Sequence, residues 1–96
     1  MTFKLRFHEQ AWAEWQKLDG SVRAPFKKKL AERLEQPRVP GAALNGMADC
    51  YKIKLRTVGY RIVYRVEDDV LYVTVIAVGK RERNRVYADA KDRLGG

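Results

Sequence analysis

Apolar and cationic residues alternate along Cys50-Tyr51-Lys52-Ile53-Lys54-Leu55-Arg56, and a period of two predicts a strand with two unlike faces. Tyr51, Ile53 and Leu55 fall on one side. Lys52, Lys54 and Arg56 fall on the other, with i,i+2 neighbours about 7 Å apart on strand geometry. Residues 2–7 alternate in the same way, and two further strands are expected at about 60–66 and 70–78. Short turns around Val58-Gly59 and through Glu67-Asp68-Asp69 join the last three strands. Between the first strand and the second, the period lengthens. Ala11, Trp12, Trp15 and Leu18 recur at helical spacing, which predicts a helix over about 8–18. Val22, Phe26, Leu30 and Leu34 stand four apart and predict a second helix, with Ser21 as its N-cap after the Asp19-Gly20 break. That helix stops before Pro37, because a proline disfavours helical backbone at the residue preceding it. Pro25 fits only if the first regular turn begins there. A loop rich in Pro, Gly and Ala fills 37–49, and the basic stretch Gly79-Lys80-Arg81-Glu82-Arg83 leads into a last helix over about 83–94.

This order predicts an α+β fold in a single domain spanning residues 1–96. A mainly antiparallel four-stranded sheet carries the two N-terminal helices on one face and a short C-terminal helix. The other face is expected to leave Lys52, Lys54 and Arg61 open to solvent.

Ninety-six residues suffice for one core, and a 46% hydrophobic content argues against a disordered basic tail. The net charge of +8 points to an anionic partner, with nucleic acid foremost. No apolar run approaches the length needed to span a membrane, so no membrane partner is expected. The N-terminal residues alternate instead of forming a signal-peptide apolar stretch. The lone Cys50 allows no internal disulfide, so a cytoplasmic setting is expected.

Charge narrows the chemistry. The single histidine, His8, opens the first helix and reads as a cap or surface residue, which leaves no base for a Ser/His/Asp or Cys/His arrangement. No Cys/His cluster or Walker loop is present, and Asp68-Asp69 reads as a solvated turn, so neither metal nor cofactor is expected. Any catalysis would run on lysine, arginine and tyrosine. One reaction suits them: the 2′-hydroxyl of RNA can attack its adjacent phosphodiester without a metal. Fixed cations then stabilise the extra charge on the non-bridging oxygens. Arg61 and Arg81 suit that task, because guanidinium donates paired hydrogen bonds to phosphate. Crowded like charges hold protons less firmly, which makes Lys52 or Lys54 the candidate base. Arg81 can also serve the leaving oxygen, and Tyr87 can stack on a base. Arg56, Arg65, Lys80, Arg83 and the run Lys27-Lys28-Lys29 are candidates for further RNA contact.

Each of these residues has a plainer reading. Lysines on an edge strand discourage aggregation, Arg61 and Arg65 alternate with core residues, and Val86 and Tyr87 can pack as core. Lys27-Lys28-Lys29 reads equally as the solvated side of a helix. Residue patterns alone therefore support a small basic α+β domain that binds RNA.

The segments Gly46-Met47-Ala48-Asp49-Cys50-Tyr51-Lys52-Ile53-Lys54-Leu55-Arg56, Gly59-Tyr60-Arg61 and Val78-Gly79-Lys80-Arg81-Glu82-Arg83 resemble the RelE toxins of bacterial toxin–antitoxin pairs. Glu14-Trp15-Gln16-Lys17-Leu18, Lys27-Lys28-Lys29-Leu30 and Glu35-Gln36-Pro37-Arg38 are similar to them as well, so the likeness spans essentially the whole chain. The resemblance implies a RelE-like, microbial-RNase-like fold and a ribosome-dependent endoribonuclease that cuts mRNA in the ribosomal A site. It places the catalytic set on Lys52, Lys54, Arg61, Arg81 and Tyr87. It also implies a RelB-like antitoxin, with operator DNA bound only through the toxin–antitoxin complex. The chain departs from the family pattern at Asn45, where a basic residue is expected before Gly46. Two rivals remain from other classes: a ParE-like gyrase inhibitor on the same scaffold, and an RNA-binding module without catalysis.

Overall fold

The structure is a computed structural model and describes residues 2–56, 58–80 and 85–95. Four strands form one sheet: β1 (Lys4–Phe7), β2 (Cys50–Leu55), β3 (Tyr60–Glu67) and β4 (Tyr72–Lys80), in the order β1-β4-β3-β2. The β2–β3 and β3–β4 pairs are antiparallel, and β1 joins β4 in parallel. The expected mainly antiparallel four-stranded sheet is therefore present.

Helices α1 (Glu9–Gln16) and α2 (Gly20–Glu35) cover one face. His8 is the N-cap of α1, its Nδ1 accepting from the Gln10 amide at 3.1 Å. Ala11, Trp15 and Leu18 are buried, but Trp12 is 47% exposed and meets Phe7 edge-to-face. Three residues on one stripe are enough to fill the space over the sheet, and Trp12 is rotated off that stripe. In α2 the four-residue spacing holds: Val22, Phe26 and Leu30 are buried and Leu34 packs beside them. This helix starts earlier than expected, with Asp19 and not Ser21 as its N-cap, and it runs through Pro25.

The β3–β4 turn shifts the last strand from the sequence expectation. Leu71 adopts φ +57°, which ends the β3–β4 turn and delays β4 to Tyr72. Gly79 and Lys80 then belong to the strand, not to the approach to the last helix. The loop over 37–49 contains a short 3-10 turn at Pro40–Ala42, and Ala43 bridges to Tyr51 at the sheet edge.

Helix α3 (Arg85–Gly95) lies on the second face of the sheet, which is therefore only partly open. Val86 and Ala90 bury themselves against Cys50, Val63, Ile76 and Ala77. A register shift between Val63 and Tyr64 makes this possible, because Val63 pairs with Ala77 and Tyr64 with Val75, leaving Ile76 as the extra residue. The bulge turns Ile76 and Ala77 both toward α3, while Val75 and Val78 pack with the α1/α2 core. Gly79 completes the seat. A Cβ there would lie 3.7 Å from the Val86 Cβ, an ordinary packing distance, so the first turn of α3 sits directly over this point of the strand.

Candidate nucleic-acid interface

What α3 leaves uncovered is the end of the second face nearest the β2–β3 turn. Lys54 and Arg61 are register partners there. Residues directly opposite in an antiparallel pair share a face, with Cβ atoms about 4.5–5.5 Å apart. Together with Arg56 and Gly59 they line an open cavity of about 300 Å³. Lys52 lies two residues along β2 on the same side, opposite Val63. Lys52, Lys54 and Arg61 are all half-buried, so their stems rest on the sheet while their charged ends reach outward.

The positive surface continues around the β2 edge. A second cavity of about 300 Å³ is lined by Lys29, Arg33, Lys52, Lys54 and Arg56, among others. A third, of about 510 Å³, lies between α2 and the end of β2 and includes Ser21, Pro25, Lys29, Lys54 and Arg56. Because the three share Lys54 and Arg56, they form one trough that passes from the sheet face over the edge strand to α2. No described residue lining any of the three is acidic. The arrangement presents point charges from lysine and planar forks from arginine to anything that enters, as a phosphate backbone requires.

Arg33 is a member of this trough that the sequence reading missed. Its Nη1 donates to the Lys52 carbonyl at 3.2 Å and to the Tyr64 hydroxyl at 2.8 Å. The signal was available, since Lys29 and Arg33 are four apart and so share one side of α2. The same spacing argument separates the lysine run. Lys29 joins the trough, while Lys27 and Lys28 are exposed residues that line none of its three parts.

The other predicted contacts are distributed more widely. Arg65 stands at the far end of β3, opposite Cys50, in a groove with Met47, Lys91 and Leu94. The buried patch under α3 separates it from Arg61. Lys80 closes β4, with its Nζ 5.9 Å from the centre of the Tyr60 ring. Tyr87 is half-buried in the first turn of α3 and packs against the α3 cluster. Arg81 and Arg83 lie outside the described residues, between the end of β4 at Lys80 and the start of α3 at Arg85. Asn45 is exposed in the loop before Gly46.

A network beneath the trough holds its floor. The Tyr64 hydroxyl, fully buried, donates to the Pro37 carbonyl at 2.6 Å while accepting from Arg33. Burial pushes the Tyr64 phenol above its ordinary range, against the opposing pull of Arg33. Arg38 bridges Asp49 and Asp68, which ties the 37–49 loop to the β3–β4 turn. Asp68 is thus engaged by an arginine. Among the described residues no three of His, Cys, Asp and Glu gather as a metal-binding group, and no helix is long and apolar enough to cross a membrane.

Known proteins share both the sequence and this geometry. The family described as "ParE toxin of type II toxin-antitoxin system, parDE" matches residues 5–85. The mRNA interferase toxin RelE of Escherichia coli K12 is 54% identical over 94 residues, covering 98% of this chain and 99% of that protein. A putative RelE-like toxin protein of E. coli is 49% identical over the same span. Among solved structures, a double arginine-to-alanine variant of E. coli RelE in the free state superposes with a TM-score of 0.91 at 52% identity, covering 98% of this chain and 99% of that one. RelE in the intact E. coli RelBE toxin–antitoxin complex gives a TM-score of 0.82 at 56% identity, covering 84% of this chain and 99% of that one. With a matching family over most of its length and a RelE relative at 54% identity, this chain belongs to the RelE/ParE family of type II toxin–antitoxin toxins, as a RelE-like member.

Proposed function

We propose that this toxin is an mRNA interferase that cuts mRNA in the ribosomal A site and so halts translation. The observation that carries the reading is the Lys54–Arg61 pair, set side by side at the head of a trough with no acid among its described lining residues, in a chain 54% identical to an mRNA interferase toxin. The proton of the 2′-hydroxyl passes to a lysine, Lys52 or Lys54, as the oxygen attacks phosphorus. The P–O5′ bond breaks, giving a 2′,3′-cyclic phosphate, and the 5′-oxygen leaves as a hydroxyl after taking a proton. Arg61 meets the charge that builds on the non-bridging oxygens. Arg81 serves the leaving oxygen and Tyr87 stacks on or orients the base. Arg56 and Lys29 extend the phosphate contacts along the trough, and Lys80 and Arg83 add further phosphate contacts. The ribosome supplies the in-line alignment that a free strand lacks, a positioning effect that can account for several kcal/mol of barrier. A RelB-like antitoxin is the protein partner, as the E. coli RelBE complex suggests, and operator DNA is reached through that complex.

Primer extension on a translated mRNA, with programmed ribosomes, tests the reading. Wild-type protein is expected to give codon-phased cuts that need ribosomes, and Arg81→Ala is expected to abolish them while ribosome binding survives. Binding and cleavage that fall together would indicate an RNA-binding module instead. The matching family bears the name of ParE toxins, which keeps a gyrase inhibitor as the second reading. Inhibited DNA supercoiling with intact mRNA would establish it.

A further inference from the structure

Strand β1 stops short of the strand it pairs with. Its last partner is Phe7 opposite Val75, and the His8 amide closes the ladder on the Val75 carbonyl at 2.8 Å. From Ile76 onward no strand among the described residues pairs with β4 on that side, so its outward backbone groups need other partners. Two side chains supply them. Glu14 of α1 accepts the Val78 amide on Oε1 at 3.1 Å, and Arg93 of α3 donates to the Ile76 carbonyl at 2.8 Å. The two also grip each other by a paired contact, Nη1 to Oε1 at 2.8 Å and Nη2 to Oε2 at 2.9 Å. Their side chains are only 28% and 12% exposed, which sets this pair apart from ordinary surface ion pairs.

We infer that Glu14 and Arg93 form a latch that fixes α3 on the sheet and thereby holds Tyr87, in the first turn of that helix, in place for cleavage. Helices α1 and α3 lie on opposite faces of the sheet, and the latch joins them around its open edge. An isolated helix of eleven residues is marginal in water, so α3 owes its order to its docking. Val86 and Ala90 anchor one side, and Arg93, in the last turn, anchors the end. Arg93 lies six residues beyond Tyr87, a rise of about 9 Å, and its guanidinium is engaged by Glu14 and the Ile76 carbonyl, so it acts through the helix. Both are positioning residues, and their role in cleavage rests on the function proposed above.

The experiment compares the wild-type chain with Arg93→Ala, Arg93→Lys and Glu14→Gln by amide hydrogen exchange and by ribosome-dependent cleavage. In Arg93→Ala, exchange of the α3 amides is expected to quicken about 10- to 100-fold, the loss of a charged hydrogen bond, while Ile53 and Ile62 keep their protection. Turnover is expected to fall by at least tenfold with half-saturating ribosome concentration unchanged, because the trough that binds is intact. Arg93→Lys should recover part of both, having the charge without the fork. If Arg93→Ala loses protection throughout, Glu14→Gln decides, since its amide oxygen still accepts from Val78. Faster α3 exchange with undiminished turnover overturns the inference. So does lost turnover with α3 exchange unchanged. A wild-type chain that never cuts overturns the nuclease reading, and the exchange pattern still decides whether the latch holds α3.

Discussion

Tyr64 shows how much one hydroxyl can hold in a small protein. It is fully buried, donates to Pro37 and accepts from Arg33, and its ring stacks on Tyr51 at 5.7 Å. Tyr64→Phe keeps the ring and leaves the Pro37 carbonyl and the Arg33 guanidinium each without that partner. A loss of about 1–3 kcal/mol is expected, the cost of a buried polar group left unpaired. Urea unfolding would show it as a lower midpoint at an unchanged slope, and a midpoint equal to wild type would mean the hydroxyl contributes nothing. The sequence pattern placed Tyr64 on the apolar side of its strand but gave no hint of this network. Tyr64 and Pro37 are 27 positions apart, and local periodicity carries no information about such a pairing. By contrast, Lys52, Lys54 and Arg61 were legible, because alternation alone fixes which face each occupies. Arg33 was missed because its neighbours in sequence are helix residues, while its function is set by a strand 19 positions away.

Among the elements, α3 is the one whose place the sequence did not fix. The apolar run Val73–Val78 reads equally well as a strand buried on both faces or as one in strict alternation. Only the bulge at Ile76 decides, and it is a property of the β3–β4 pairing. The latch that holds α3 also has a pH signature. Burial raises the Glu14 carboxyl, but the Arg93 hydrogen bonds, the Val78 amide and the charges of Arg93 and Lys17 outweigh it, so the group sits below the ordinary carboxylate range. Lys80, Arg85 and Asp89 line the small cavity beside it. Glu67 is lowered too, first by the Thr74 hydroxyl and, against some burial, by Arg6. A depressed carboxyl contributes stability that is fully present above its unfolded value, about 4.3, and is lost as pH falls through the folded one. Wild type is therefore expected to melt higher than Glu14→Gln at pH 7, with the gap closing as pH drops below about 4. A gap that stays constant from pH 7 to pH 3 would show that the charge on Glu14 does not hold α3.

At the scale of the whole molecule, charge and shape act together. The net charge of +8 would attract any polyanion, yet the trough concentrates a share of it along one path from Arg61 to Lys29. Counterion release makes such binding fall steeply with salt, by about 0.7–0.9 in the logarithmic slope for each phosphate contact. This separates a path from a diffuse field. If ribosomal RNA or mRNA follows the trough, Lys29→Ala and Arg56→Ala should each lower the salt slope of ribosome binding by about that amount. Lys28→Ala removes the same charge from the next residue of α2, outside the trough, and should lower affinity only slightly with its slope unchanged. Because the variants carry equal net charge, long-range attraction is matched between them and only contact distinguishes the outcomes. An equal fall in slope for Lys28→Ala would move the contact surface onto the outer side of α2. The edge strand β2 would then present its cations to the reacting phosphate alone.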